Sequence, residues 1–404
     1  MSLKIAIVGG GVVGCSLAYH IAERGLGQVT LFERDRLASG TTWHSAGNIT
    51  WKPHGDEDQQ VLCAFELIDR LERDGAHSTG WHHIGRLFLG LSEAGLSAFE
   101  GFHQAARDRG VDCRWLSAKQ AAARYPLLAE SATAGAWFNP LSGRVNPADF
   151  TACLARAAKA QGAEVLEQAL VERLDTKNGA VKGLICDGEL HAFDRVVVTA
   201  GLWSRGLTAP LGYSAAQWGC EHFYLIARTE PRLDRDTPSF VCPEALLYGR
   251  EEVGGMLFGL FDEDATPLDP ASLPEPFAFS LLPEDWDKVA PYVEAATRLF
   301  PVLETAPISN FINGPESFTP DGNPLIGPVP GIEGLYICSG MNSHGVTLAP
   351  AAGHIIADLL AEQEPRFPTE RYDPTRFGDQ GANEEALAAA VSKAPSLFYR
   401  AVHS

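Results

Sequence analysis

Leu3-Lys4-Ile5-Ala6-Ile7-Val8-Gly9-Gly10-Gly11-Val12-Val13-Gly14 decides the fold class of this chain. A short apolar strand runs into glycines whose spacing, Gly9, Gly11 and Gly14, matches G-x-G-x-x-G. The hydrophobic period then changes. Val13, Leu17 and Ile21 recur at helical spacing, which predicts a helix over 12–24 with Gly25 as its C-terminal cap. A second strand over 29–32 ends at Glu33 and Arg34, about 20 residues past the glycines. Each glycine has its own physical reason. Gly9 permits the tight turn, Gly11 lets the backbone approach a pyrophosphate, and Gly14 lets the helix pack close to the strand. The helix N-terminus attracts phosphates, and Glu33 can accept hydrogen bonds from a ribose. Glycines alone would be an ordinary turn. Strand, glycines, amphipathic helix, strand and acidic residue in register mark a dinucleotide-binding unit over residues 4–34.

The remaining totals limit what such a unit can belong to. With 404 residues there is room for one large two-lobed globule or two to three compact domains. A formal net charge of -19 argues against nucleic acid or an anionic membrane as partner. The eight cysteines are scattered with no C-x-x-C pair, the pattern of reduced, buried thiols rather than a disulfide framework or zinc site. No basic stretch precedes an apolar one at the start, and no apolar run reaches membrane-spanning length, so the expectation is a soluble cytoplasmic protein. His82-His83 suggests no metal site, because adjacent residues on a strand face opposite sides.

Further along, the pattern predicts helices over 57–75 and 92–110, a turn into a strand over 80–90, and a short helix over 117–129 ended by Tyr125-Pro126. Gly143-Arg144-Val145-Asn146-Pro147 opens a helix over 147–161, followed by strands near 164–174 and 180–186. Arg195-Val196-Val197-Val198-Thr199-Ala200-Gly201 reads as a strand of a buried parallel sheet with a ligand at its carboxyl end. Short β-type runs between 210 and 280 predict an antiparallel sheet and a second lobe. A helix over 283–299, a polar loop over 313–322, a strand over 335–338 and a glycine-flanked loop, Gly340 to Gly345, opening a helix over 346–361 complete the pass.

Several of these stretches together resemble the D-amino-acid-oxidase-like FAD-dependent oxidoreductases, and within them the dimethylglycine and sarcosine dehydrogenase group. The stretches are SGTTWHSAG (39–47), GRVNPAD (143–149), EHFY (221–224), LYGREEVGGMLFGLFDED (247–264), NGPESFTPDGNPLIGP (313–328), GMNSHGV (340–346) and YDPTRF (372–377). The resemblance implies an α/β fold with an α+β second lobe, a Rossmann-like FAD-binding domain interleaved with an antiparallel-sheet substrate domain. The expected division is 1–80, 143–210 and 315–378 for FAD, 81–142 and 211–314 for substrate, and 379–404 as a C-terminal helical tail. It implies covalent attachment of FAD through His44, with the EHFY-like and LYGREE-like segments facing substrate and the GMNSHG-like loop against the isoalloxazine ring. Mammalian-type members continue into a folate-binding half. The tail here is too short to replace it, so the expectation places any folate chemistry or electron acceptance on a partner.

Amine oxidation by a flavin needs a held ring, an uncharged amine, a C–H bond facing it and a grip on the substrate's carboxylate. A neutral imidazole at His44 in a small-residue loop can tether the flavin, or it can simply be a loop histidine bound to backbone. Thr41 and Thr42 either bind pyrophosphate or cap their loop. Ala200 and Gly201 admit the cofactor at the strand end, and Val171 is expected beside the adenine. Gly340, Met341, Asn342 and Gly345 are expected to offer backbone N–H groups to the flavin's pyrimidine edge. For substrate the candidates are His222, to accept the ammonium proton or bind carboxylate, and Tyr248, against the N-methyl group. Arg250 can pair a carboxylate bidentately or sit in an ion pair with Glu251 and Glu252. Tyr224 and His344 are weaker candidates. The expected reaction is hydride loss from an N-methylated amino acid such as dimethylglycine or sarcosine, giving an iminium that hydrolyses to the demethylated amine and formaldehyde. The alternatives are oxidation of an unmethylated amino acid, or a flavin subunit of a complex with a folate-binding partner.

Overall fold

The computed structural model describes residues 2–53, 55, 57–74 and 78–400. Its organising layer is a six-stranded sheet in the order Leu325–Pro328, Leu335–Ser339, Arg195–Val198, Lys4–Val8, Gln28–Phe32, Glu164–Leu166. The strands run parallel except Leu325–Pro328, which is antiparallel to its neighbour. The sequence Lys4–Val8 is apolar without alternation because both faces are covered. Ile5, Ile7 and Val197 belong to the core shared with helices Val12–Glu23, Pro147–Ala160 and Gly345–Leu360. Ala6, Val8, Val196 and Val198 face the other way, onto an antiparallel three-stranded sheet of Val171–Lys177, Ala180–Cys186 and Glu189–Ala192. This is a helix–sheet–sheet sandwich.

The second body is a nine-stranded, mostly antiparallel sheet. Its path runs Pro267–Leu268, Trp218–Ala227, Gly255–Leu260, Leu247–Glu252, Ser239–Cys242, Arg86–Gly90, Gly135–Asn139, Arg114–Ser117, with Ile308–Phe318 paired to the free side of Trp218–Ala227. Its own core gathers Phe223, Leu225, Phe240, Met256, Phe258 and Phe300. Among the described residues no helix is long and apolar enough to cross a membrane. All eight cysteines are free and buried.

Three expected elements come out differently. The helix expected over 92–110 is two, Glu93–Ser97 and Glu100–Asp108, because Ser92 caps the first and the chain turns at Ala98 and Phe99 to bury Phe99 and Phe102. The strand expected near 164–174 divides between two sheets, Glu164–Leu166 and Val171–Lys177. The polar loop expected over 313–322 is mostly strand. Ile308–Phe318 keeps antiparallel register with Trp218–Ala227, His222 opposite Gly314 and Glu221 opposite Pro315. Turn-forming composition misled here, since strand identity follows the available partner more than intrinsic preference. Pro315 is tolerated because this strand has a partner on one side only among the described residues. The expected lobe boundary at 314/315 therefore falls inside a strand. The helix expected to end at 75 is described as Glu57–Asp74, and residues 401–404 of the expected tail also lie outside the described residues.

The turn after Lys4–Val8 works as its glycines require. Gly9 has φ +115°, and a Cβ on Gly14 would lie 1.9 Å from the Gly9 carbonyl oxygen. The helix therefore packs onto the strand at backbone distance. Gly14→Ala should lower unfolding stability by roughly 1–3 kcal/mol in urea titration, the range for overpacking. A loss below about 0.5 kcal/mol, the scatter of neutral surface changes, would contradict this packing.

Candidate active site

Two cavities meet between the sheets. The first opens at the carboxyl ends of the parallel strands and is bordered by Gly9, Gly11, Glu33, Arg34, Thr41, Thr42, Val171, Ala200, Gly201, Met341, Asn342 and Gly345. Gly11 caps helix Val12–Glu23 without a side chain, leaving the helix N-terminus directed at this space. A Cβ on Gly11 would meet only the Thr42 hydroxyl, at 3.1 Å. Glu33 accepts from the Gly10 N–H at 2.7 Å and the Asp35 N–H at 2.8 Å. Burial raises its pKa, and those two backbone donors oppose the rise. The carboxylate has lone pairs left for a ribose. The Arg34 guanidinium lies over the Trp203 ring at 3.7 Å.

Other expected residues have different work. The Thr41 hydroxyl donates to the Pro315 carbonyl at 3.0 Å, and the Thr42 hydroxyl accepts from the Val12 N–H at 3.2 Å, so both tie the loop to backbone while bordering the cavity. Gly340 borders neither cavity. Its φ is +67°, and a Cβ there would meet Thr319 Cγ2 at 2.8 Å. Asn342 braces the loop. Its N–H donates to the Ser317 carbonyl, its Oδ1 accepts from the Thr319 N–H at 2.9 Å and its Nδ2 donates to the Gly340 carbonyl at 2.5 Å. The Asn342 N–H expected for a ligand is thus already spent within the protein.

The second cavity, about 810 Å³, is bordered by His222, Tyr248, Phe261, Lys52, Arg86, Arg371 and His344. Ser45, Glu316, Asn342, Ser343 and Val346 border both cavities, so these residues form the junction. His222 is buried, its ring parallel to Tyr248 at 6.4 Å, and its Nδ1 finds no hydrogen-bond partner within the protein. Tyr248 lies across Gly259 on the neighbouring strand, where any Cβ would strike the ring. The Glu316 carboxylate accepts from the Ser343 hydroxyl at 2.5 Å. Tyr224 borders neither cavity, and burial raises its phenol to about 12.

Arg250 is not brought to either cavity. Its Nε donates to the Ala46 carbonyl at 2.8 Å, and its Nη1 to the Glu251 carbonyl at 2.8 Å and to Glu252 Oε2 at 2.5 Å. It pairs with Glu252, two residues on along the same strand, while its Nε holds the loop carrying His44 through the Ala46 carbonyl. The cations bordering the cavity are Lys52, Arg86 and Arg371, none of which sequence reading singled out, because the cavity is assembled from segments far apart in the chain. Arg86, buried, donates through Nη1 to the Thr50 hydroxyl and through Nη2 to the Phe240 carbonyl at 3.2 Å. Burial lowers the Lys52 ammonium to about 7, with Glu57 opposing and Arg86 adding to the fall. One signal was available: Arg86 is a charged residue inside an otherwise apolar strand, Arg86–Gly90.

His44 ends the turn Thr41–His44. Its imidazole rests on Gly314, where a Cβ would lie 2.4 Å from the ring. It borders neither cavity, though Thr42 and Ser45 on its two sides do. Burial pushes its pKa down to about 4, with Glu316 opposing and His222 adding to the fall. The ring is neutral at pH 7. His82 pairs with Asp236 at 2.7 Å. Among the described residues no group of three or more His, Cys, Asp or Glu is placed to hold a metal ion.

A glycine cradle at a helix N-terminus, a buried acid one strand away and an extended cavity running to a second, charged one fit a flavin dinucleotide. Residues 4–359 match the FAD dependent oxidoreductase family (DAO). The chain belongs to that family. It is 29% identical over 399 residues to 4-methylaminobutanoate oxidase (formaldehyde-forming) of Paenarthrobacter nicotinovorans, covering 98% of this chain and 48% of that protein. To mouse mitochondrial sarcosine dehydrogenase it is 30% identical over 382 residues, covering 93% and 41%. The chain thus spans less than half the length of these curated relatives. Its fold is similar to L-proline dehydrogenase from P. horikoshii, with TM-score 0.80, 25% identity and coverage of 93% and 98%.

As an FAD-dependent oxidoreductase the protein carries a buried histidine whose folded pKa, about 4, lies below the ordinary 6.5. Between those values the unfolded chain binds a proton that the folded chain refuses. His44 should therefore cost stability as pH falls from 6.5 towards 4, on the order of 3 kcal/mol at the acid end. Urea midpoints of the apoprotein measured across that window should fall less steeply in His44→Asn. An unchanged slope would mean His44 titrates normally.

Proposed function

We propose that this chain oxidises an N-methylated amino acid, using FAD, to a product that hydrolyses to the demethylated amine and formaldehyde. The observation that carries the reading is the junction of the two cavities. The dinucleotide cavity ends at Ser45, Glu316, Asn342 and Ser343, and the same residues open a cavity with cations and aromatic rings on its walls. Bound FAD supplies the two-electron acceptor. The chain's own residues do the rest. Arg86 and Lys52 neutralise and orient a carboxylate. Tyr248 and Phe261, with ring centroids 4.9 Å apart, give a methylated amine an apolar and π-rich surface. The unpartnered His222 Nδ1 accepts the ammonium proton, exposing the lone pair that oxidation requires. The names of two similar proteins, 4-methylaminobutanoate oxidase (formaldehyde-forming) and sarcosine dehydrogenase, both describe N-methyl amines.

In the same reading His44 carries the FAD covalently. Its support is a buried imidazole kept neutral at pH 7, and so nucleophilic, between two residues of the cofactor wall. Reoxidation falls to oxygen or a carrier, and capture of formaldehyde to a folate-binding partner. Free, buried thiols suit a reducing, cytoplasmic setting.

The deciding experiment is anaerobic. Dimethylglycine, sarcosine, 4-methylaminobutanoate, proline and glycine are mixed separately with the holoprotein and bleaching of the flavin is followed. N-methyl compounds should bleach it while glycine does not. Bleaching by glycine or proline alone moves the assignment to an unmethylated amino acid. Arg86→Gln should raise KM for the bleaching amine about 100-fold, from loss of a charged hydrogen bond of roughly 3 kcal/mol, with kcat changed much less. Acid precipitation should leave yellow flavin in the pellet of the native protein and in the supernatant of His44→Ala. Colour in the native supernatant would show the flavin is not tethered.

A further inference from the structure

We propose that residues 394–397 form a wall of the amine cavity and set how long a substrate it accepts. The proposal rests on reading that cavity as the amine site. Ala394, Pro395 and Leu397 border the same space as His222 and Tyr248, although nearly 150 residues of chain separate them from Tyr248. They arrive on helix Ala394–Arg400, which follows helix Glu384–Val391.

The segment is held in place rather than draped. Asn383 caps the helix Glu384–Val391 by accepting from the Ala386 N–H at 3.0 Å. The Ser392 carbonyl accepts from the Ala265 N–H at 2.8 Å, and Lys393 Nζ meets Asp264 Oδ1 at 2.6 Å. Leu387, Val391 and Ala394 are buried with Trp218, Cys220 and Phe318, and Phe318 ends the strand that passes beneath both cavities. Leu397 then projects, half-buried, over the turn at Gly322, whose Cβ position lies 3.9 Å from it.

The wall is mixed: Lys52 and Arg86 border the cavity together with Glu57, Glu316 and Asp321, and Pro395 and Leu397 add apolar surface, Leu397 over the turn at Gly322. The position of the walls decides which chain lengths the space holds. A linear amino acid with carboxylate and amine separated by several methylenes can fill apolar space that a short one leaves open. Leu397, the largest apolar side chain that the segment puts on the wall, limits that extension.

The test reads binding without turnover. Straight-chain carboxylates from acetate to hexanoate are titrated into the holoprotein, and the flavin absorbance change gives each Kd. Leu397→Ala should raise the affinity for hexanoate relative to acetate by about tenfold, the lower range for one methylene in an apolar pocket. Leu397→Trp should lower it by a similar factor. Thermal melts confirm that both variants fold. An unchanged chain-length profile in folded variants overturns the proposal, and so does a native protein whose flavin responds to none of the acids. A second route avoids any packing defect. Leu397→Cys adds one accessible thiol to a protein whose eight native thiols are buried, and hexanoate should slow its alkylation by iodoacetamide. Equal rates with and without hexanoate also overturn the proposal. The amine reading fails separately, when no amine bleaches the flavin although carboxylates still bind with the length dependence above.

Discussion

At the joint between the two sheets the His44 imidazole lies directly on Gly314. Any side chain at 314 would displace the ring. Gly314 is the register partner of His222, and Pro315 beside it accepts from the Thr41 hydroxyl at 3.0 Å. The turn Thr41–His44 thus carries one wall of the dinucleotide cavity and is seated on Ile308–Phe318, the strand paired with the one that carries His222. Arg250 secures the same turn from the other side through the Ala46 carbonyl. If this seat moved, the two cavities would no longer share Ser45 and Glu316.

Electrostatics point the same way. The chain carries a formal charge of -19, which repels anions at long range. Against that background Lys52, Arg86 and Arg371 border the second cavity together with Glu57, Glu316 and Asp321. Burial of such cations is costly unless an anion or a carboxylate neighbour compensates. Glu57 opposes the fall in the Lys52 pKa, and Glu316 opposes that of His44. The site is thus poised between charge states, with a neutral imidazole at His44 and a weakened ammonium at Lys52.

Local motifs were legible because their physics is local. The glycine turn fixes its own backbone, and its neighbours Glu33, Thr41, Thr42, Val171, Ala200 and Gly201 all border one cavity. His222 and Tyr248 could be placed because strands with aromatic and polar alternation present one face inward. For Arg250 the sequence left a carboxylate grip and an ion pair open, and the fold pairs it with Glu252, a choice that no spacing rule makes. Arg86 and Lys52 were missed because their cavity is assembled from segments far apart in the chain.

By itself the sequence determined the βαβ unit, the buried parallel sheet, the family resemblance and the cofactor class, since each depends on short-range period and on backbone positions that only glycine satisfies. Tertiary structure alone decided that 313–318 is strand, that Asn342 braces its loop, that Arg250 is tied to Ala46 and Glu252 and that residues 394–397 reach the second cavity. Those outcomes depend on which distant partner satisfies a backbone edge, a buried amide or a buried charge. Such partners are chosen by packing, and packing has no signature in local spacing.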